Sequence, residues 1–375
     1  MSAVSKIIFP NLNAYRFIAA LLVVFHHVEQ IRYNAHLFNF KQYSLFNNGA
    51  YAVQFFFVLS GFLITYLLLV ELANTKTVSL STFYLKRILR IWPLYYLLVF
   101  VGFVILPLLM FKQGTFSNKF PYLNYDGLML YVFILPNVAN AIWSKHFLIS
   151  LWSIGVEEQF YLFWSPIVKW LENKVVYVCF TLVVVRLMFD AFFQSYFSFS
   201  PFIQSIINSL RFDCMAIGAL AAFWFQKGIS DAWKNIIYSI YFECIVLAFL
   251  AVLFIFRIYL RDNGIILESP IGLQLISLLF AFLILNGATN PTTIFKISFK
   301  WIDYLGSISF GIYMYHMIFV FFGVELLKKL QFMNGMSLLS TIFVYSISVG
   351  MTIFVSFVSY KFVEFPIIQL RSKKQ

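Results

Sequence analysis

The sequence has very little charge. Only 11% of its 375 residues are Asp, Glu, Lys or Arg, whereas 62% are hydrophobic, and the mean hydropathy is +0.85. A soluble domain of this length needs more charge to cover its surface. Hydrophobic stretches of about 20 residues recur along the whole chain, which is long enough to cross a bilayer as helices. The composition therefore excludes an ordinary soluble domain and predicts an all-α, polytopic transmembrane helical bundle.

Cysteine is also scarce. The three cysteines, Cys179, Cys214 and Cys244, lie far apart, and the sequence contains no C-x-x-C pair. We therefore predict neither a disulfide framework nor a metal site, and interpret the cysteines as small hydrophobic residues. The sequence also lacks an internal repeat, and its first apolar run lacks a small-residue cleavage site. We expect no cleavable signal peptide.

The apolar periodicity predicts ten membrane spans in a single domain that covers residues 1–375. A mildly apolar piece at 126–140, in the longest connection, can form a re-entrant or interfacial helix. The ten predicted spans are 12–30, 50–71, 89–110, 151–171, 175–194, 203–226, 236–257, 265–286, 302–326 and 337–362.

Acidic residues are the minority of the few charges, and the net charge is +12. The basic residues mostly lie between the apolar segments, where they orient a membrane protein, so we do not predict nucleic-acid binding. Lys and Arg are more frequent in the segments that share a side with both termini. This bias predicts cytosolic N- and C-termini.

The first predicted helix carries ionisable residues in an otherwise apolar span. Ionisable groups inside a membrane are costly and indicate function by default. His27 follows Arg16 by eleven residues, so the two lie within roughly 20° of the same helix face and about 16 Å apart along the axis. His26 points elsewhere. A neutral imidazole can act as a general base, but a histidine can also simply hydrogen-bond to a neighbouring helix.

The second and third helices offer a small-residue face and a basic pair. Gln54, Gly61 and Thr65 share one face, which ordinary helix packing explains. Arg87 and Arg90 are three residues apart, on the same side of a helix. Paired guanidinium groups suit phosphate, although the same arginines can serve only as positive-inside anchors.

The fourth helix places two adjacent carboxylates near the start of an apolar span. Ser153, Glu157 and Tyr161 repeat every four residues and form a polar ladder, whereas Glu158 faces elsewhere. A carboxylate that accepts a bond from one nitrogen of an imidazole raises the basicity of the other. The alternative is an acid that only complements the helix dipole.

Two later helices carry polar residues with weaker signals. Arg211 and Asp213 are two residues apart, so they do not face each other on a helix, and each needs a partner elsewhere. Tyr313 and His316 lie one turn apart in the ninth span. Structural hydrogen bonding explains these residues at least as well as substrate binding.

Seven of these segments, in order, resemble the acyltransferase-3 family of integral-membrane O-acyltransferases. The segments are LNAYRFIAALLVVFHH, FFFVLSGFLIT, RILR, LWSIGVEEQFYLFW, RFDCMAIGALAA, ISFGIYMYHM and VEFPIIQLR. Asn13-Ala14-Tyr15 departs from the Asp-Gly-Leu type of residues that is common in the family. Some members carry an added SGNH-type domain; we expect a stand-alone membrane module here.

The resemblance implies transfer of an acyl group, most often acetyl, from acyl-CoA to a carbohydrate or glycolipid hydroxyl. His27 is then the general base with Glu157 as its partner, and Arg16, Arg87 and Arg90 bind the donor. Acyl-CoA is a co-substrate, so no cofactor is bound permanently. The remaining candidates for the cavity or the acceptor side are Gln54, Ser60, Gly61, Ser153, Gln159, Tyr161, Arg211, Asp213, Tyr313 and His316.

The resemblance also implies a multi-pass protein of the cytoplasmic (inner) membrane. The sequence leaves open the acceptor, the length of the acyl group, a transient acyl-enzyme and the oligomeric state. A transporter or flippase for a glycan precursor is an alternative function, because many spans with buried charges also fit a transport pathway. A scaffold in a polysaccharide-export complex is another alternative. Only the enzyme requires donor-dependent transfer and an intact His27.

Overall fold

The computed structural model describes residues 9, 11–110, 120–143, 147–193, 200–265, 269–297, 299–330 and 337–369. Within these ranges the chain is helical and has no β-strand, which confirms the all-α prediction. The helices are α1 Leu12–Asn34, α2 Gly49–Thr75, α3 Leu80–Phe100 with its continuation Leu106–Met110, α4 Tyr125–Val132, α5 Pro136–Ile142, α6 Trp152–Leu171, α7 Val175–Met188, α8 Pro201–Ser209, α9 Phe212–Lys227, α10 Asp231–Ile237, α11 Ile240–Asp262, α12 Pro270–Thr289, α13 Lys300–Ser307, α14 Ser309–Lys329, α15 Ser337–Tyr345, α16 Thr352–Ser359 and α17 Phe365–Gln369.

Each of the ten predicted spans coincides with helix, but the divisions differ. The sixth span is split between α8 and α9, because Leu210 adopts an extended conformation. Seven helical segments of the described chain are long and apolar enough to cross a membrane. α1, α6 and α7 are not among these seven. The count of ten spans and the cytosolic termini therefore stay predictions.

α2 is the central helix of the bundle. Of the 18 consecutive residues that form the apolar stretch of α2, 78% are buried inside the bundle. The same share is 22% for α11, which lies at the periphery. The most extensive packing of α2 is with α9, where two glycines allow the backbones to meet. A Cβ on Gly61 would collide with the Met215 carbonyl, and one on Gly218 with the Val58 carbonyl. Glycine is needed at this contact, as at other close helix crossings in membranes.

The piece at 126–140, expected to be re-entrant or interfacial, forms two short helices, α4 and α5, and the end of α4 is hydrogen-bonded to α3. Tyr95 in α3 donates a hydrogen bond to the Tyr131 carbonyl (2.9 Å), and Tyr96 donates to the Val132 carbonyl (2.9 Å). Both tyrosines lie well inside α3 rather than at its end. These bonds satisfy carbonyls at the end of α4, which non-helical backbone inside a membrane protein requires. α6 packs against α5.

The C-terminal end of α1 is held by a buried group of polar residues, here called the Glu29–Arg32 cluster. Arg32 donates to Glu29 at 2.8 Å, and both side chains are 0% exposed. Tyr345 donates to the same carboxylate at 2.9 Å, and the Phe40 amide donates to its other oxygen. Arg32 also donates to Thr341 at 2.8 Å. The cluster therefore ties α1 to the following loop and to α15.

Candidate functional site

A polar cavity of about 100 Å³ lies between α1, α2, α3, α6 and α14. It is the meeting point of several residues that the sequence analysis selected from separate helices. We call it the arginine cavity. Its polar lining residues are Arg16, Ser60, Arg87, Arg90, Ser153, Glu157, Tyr161, Ser309 and Tyr313. All of these except Ser309 were predicted site residues.

Three arginines give the cavity an excess of positive charge. Arg87 and Arg90 reach it from adjacent turns of α3, and Arg16 reaches it from α1. The Arg87 guanidinium lies 6.0 Å from the centre of the Tyr161 ring. Arg16 makes neither a hydrogen bond nor an ion pair with any residue in the described ranges. Because Glu157 is the only carboxylate among the lining residues, the cavity suits an anion with several negative charges.

Glu157 is fixed by the polar ladder of α6 together with α2. Tyr161 donates to a carboxylate oxygen of Glu157 at 2.7 Å, and the Ser60 hydroxyl lies 3.3 Å from the same oxygen. Ser60 and Tyr161 are also hydrogen-bonded to each other. Among the described residues no hydrogen bond joins Glu157 to His27. The structure thus places Glu157 with the arginines rather than beside the predicted base.

His27 lies in a separate group of three imidazole rings, which we call the histidine cluster. Its ring centre is 5.1 Å from that of His316 and 5.2 Å from that of His26. His316 is 0% exposed, whereas His27 is partly exposed. α1 and α14 pack against each other and bring His27 to His316. His27 is not one of the residues that line the arginine cavity.

Tyr313 stands between the arginine cavity and the histidine cluster. Its hydroxyl lines the cavity, donates to the Ser150 carbonyl at 3.1 Å and lies 2.7 Å from the Ser153 hydroxyl. Its ring centre is 5.7 Å from that of His316. Tyr313 therefore contacts both sites.

Three predicted site residues serve contacts between helices instead. Gln54 donates to Ser277 at 2.7 Å and to the Leu273 carbonyl in α12. Gln159 donates to Asn137 in α5 at 2.8 Å. Gly61 faces the backbone of α9, so helix packing explains it.

Arg211 and Asp213 lie outside the arginine cavity, near the junction of α8 and α9. Arg211 Nη1 and one Asp213 oxygen are buried, and neither has a hydrogen-bond partner in the described part of the chain. Both residues interact electrostatically with Asp190, which forms an ion pair with Arg186 at 2.7 Å. The expectation that each of the two has a partner on another helix or in the cavity therefore stays a prediction.

Ser309 is a lining residue that the sequence analysis missed. It is 1% exposed, and its hydroxyl has no hydrogen-bond partner among the described residues. It lies one helical turn before Tyr313 on the same face of α14. This spacing was the available signal.

Comparisons with known proteins agree with the geometry. The acyltransferase-3 family model, described as an acyltransferase domain, matches residues 9–361. A peptidoglycan O-acetyltransferase of Listeria monocytogenes is 25% identical over 96% of this chain and 55% of the relative. A putative O-acetyltransferase of Staphylococcus aureus is 26% identical over 95% of this chain and 57% of the relative. A putative peptidoglycan O-acetyltransferase of Bacillus subtilis is 31% identical over 41% of this chain and 23% of the relative.

The chain thus spans little more than half the length of the first two relatives. No solved structure matches it. The apolar helices make it an integral membrane protein. Because the family model covers nearly the whole sequence, the chain belongs to the acyltransferase-3 family of acyltransferases.

Proposed function

We propose that this protein is a membrane O-acyltransferase that moves an acetyl group from acetyl-CoA to a hydroxyl of a cell-envelope carbohydrate. The donor arrives from the cytosol, and both termini lie on that side of the cytoplasmic membrane. The observation that carries the proposal is the convergence of Arg16, Arg87 and Arg90 on one cavity beside the histidine cluster. The names of the relatives favour peptidoglycan as the acceptor.

The arginine cavity is the donor site in this proposal. Coenzyme A carries several phosphate charges, which guanidinium groups bind through paired hydrogen bonds. Glu157 balances part of the positive charge and, through its bond to Tyr161 and its contact with Ser60, holds that side of the cavity in place. The pantetheine arm then extends past Tyr313 and presents the thioester to His27.

The transfer exchanges one ester for another. The acceptor oxygen attacks the thioester carbonyl carbon, a C–O bond forms and the C–S bond breaks. His27 takes the proton of the acceptor hydroxyl and passes it to the leaving sulfur, so the products are the O-acetyl ester and free coenzyme A. A positioned general base of this kind contributes typically about 10²–10⁴-fold to the rate.

The test uses purified full-length protein in nanodiscs, radiolabelled acetyl-CoA and peptidoglycan oligosaccharides, with mass spectrometry to locate the ester. The wild-type protein should transfer label to the oligosaccharide. We expect His27→Ala to abolish transfer, because the proton of the acceptor then has no base. The matched control is His26→Ala, which should remain active.

Full activity of folded His27→Ala protein would contradict the assignment of the base. Absence of donor-dependent transfer by the wild-type protein to any envelope glycan would contradict the function as a whole. Comparing the envelope glycans of cells with and without the protein, by mass spectrometry, identifies the acceptor as the glycan that loses an ester.

A further inference from the structure

His316 is a fully enclosed histidine with one ring nitrogen unused. Its Nδ1 is hydrogen-bonded to the Tyr313 carbonyl, and because a carbonyl can only accept, Nδ1 carries the hydrogen. In the neutral ring, Nε2 is therefore an acceptor. It is buried and has no hydrogen-bond partner in the described part of the chain. Leaving a buried acceptor unpaired lowers stability, which makes this nitrogen a candidate for a functional hydrogen bond.

The neighbour that can use this acceptor is His27. The two ring centres are 5.1 Å apart, and the ring planes differ by 36°. At this separation a rotation of the partly exposed His27 ring about its Cβ–Cγ bond brings one of its N–H groups towards Nε2. Both residues lie within helices that pack against each other, so the pair is held by rigid elements.

We infer that His316 is a positioning residue for His27. Its Nε2 accepts the N–H of His27 and fixes the tautomer of that ring, which leaves the lone pair of the other nitrogen free for the acceptor hydroxyl. The carboxylate of a hydrolytic triad does the same for its histidine. The inference rests on the proposed function, since it needs His27 as the base. It also explains why Glu157 can stay with the arginines.

His26 is the other ring beside His27. Its centre is 5.2 Å away, and its Nδ1 is also buried with no hydrogen-bond partner among the described residues. Its ring packs against Gly49, and adjacent residues of a helix point about 100° apart. Its role is therefore packing, and it supplies the matched control.

Two substitutions separate the two nitrogens of His316. In His316→Gln the longer amide reaches the position of Nε2 and can accept there. In His316→Asn the shorter amide can replace only the Nδ1–H. We expect the Gln variant to keep kcat within a few-fold and the Asn variant to lose at least about tenfold, part of what a general base contributes. The KM for acetyl-CoA should be unchanged in both, because the arginine cavity is intact.

Equal losses of kcat in the Gln and Asn variants, or a change confined to KM, would overturn the inference. His26→Asn should retain the wild-type kcat, and a loss equal to that of His316→Asn would move the role to His26. If the Asn variant does not fold, His316→Met, which also lacks the acceptor, takes its place. Loss of activity in His27→Ala but not in His316→Asn rejects only this inference. Activity that survives in His27→Ala rejects the proposed base as well.

Discussion

The two ends of α1 both place charged side chains inside the bundle, but they satisfy those charges in different ways. At the C-terminal end, both oxygens of Glu29 accept hydrogen bonds, and Arg32 bonds to Glu29 and Thr341. At the N-terminal end, Arg16 enters the arginine cavity without a hydrogen bond to any described residue. Burial of charge is common to both ends, and only the partners differ.

This difference in partners distinguishes charges that stabilise the fold from charges that can bind a ligand. A buried charge whose bonding groups are taken up inside the protein has little capacity left for a ligand. A charge that lines a cavity without a fixed partner keeps its full attraction for an anion, at some cost in stability. Ionisable residues in a membrane protein therefore need to be compared by their partners, and not only by their presence.

The largest effect on stability should come from Arg32→Met. The change leaves Glu29 buried with its charge uncompensated, which typically costs about 3–5 kcal/mol. Thermal unfolding in detergent measures it. The matched variant is Arg16→Met, which should unfold near the wild-type temperature but lose donor-dependent transfer.

Equal destabilisation by Arg16→Met and Arg32→Met would contradict the distinction between the two ends of α1. It would mean that Arg16 also supports the fold. A stable Arg32→Met protein would show instead that the Glu29–Arg32 cluster contributes little beyond what Tyr345 and the Phe40 amide provide.

A smaller effect is expected from Arg87→Met and Arg90→Met. Hydrogen bonds to charged groups contribute about 1.5–3 kcal/mol, so each change should raise the KM for acetyl-CoA roughly ten- to a hundredfold. The kcat at saturating donor should change little, because the base lies in the histidine cluster. Steady-state kinetics over a range of donor concentrations measures both constants.

Lys86→Met is the control for these two variants, since Lys86 adjoins Arg87 but is not among the cavity's lining residues. Its KM should match that of the wild-type protein. An unchanged KM in the arginine variants would identify Arg87 and Arg90 as topological anchors only. A raised KM in all three variants would indicate a general effect of positive charge rather than a binding site.

The sequence predicted the arginine cavity better than it predicted the surroundings of α2. Helical spacing put Ser153, Glu157 and Tyr161 on one stripe of α6, and all three line the cavity. Spacing works there because the polar residues stand out against an apolar helix. For the same reason, helical spacing placed Arg87 and Arg90 on the same side of α3.

Spacing cannot tell which stripes of different helices meet. Glu157 was paired with His27 because a carboxylate raises the basicity of an imidazole that donates to it. The structure places Glu157 beside Ser60 and places His27 beside His316. Apolar periodicity also gave no indication that α6 packs against the short helix α5.

α2 shows most clearly what helical periodicity in a sequence cannot determine. It is apolar on every side, so its sequence has no periodic contrast that would distinguish a face towards a cavity from a face towards another helix. Gln54 and Gly61 share one face by spacing, which ordinary helix packing explained but which also remained a candidate for the cavity, and they contact α12 and α9. The cavity face of α2 is a different stripe, which includes Val53, Phe56 and Ser60.

The smallest effect should therefore come from Gln54→Leu. The Leu273 carbonyl keeps a donor, because Ser277 already donates to it at 3.0 Å, so only the bonds of the amide are lost. A typical net loss is about 0.5–1.5 kcal/mol in the free energy of unfolding, with kcat and KM unchanged. Detergent unfolding and steady-state kinetics on the same preparation measure both. A loss of transfer at unchanged stability would contradict this prediction, because a residue that acts only through packing cannot reduce activity while the fold is intact. Such a loss would place the face of α2 that carries Gln54 in the functional site.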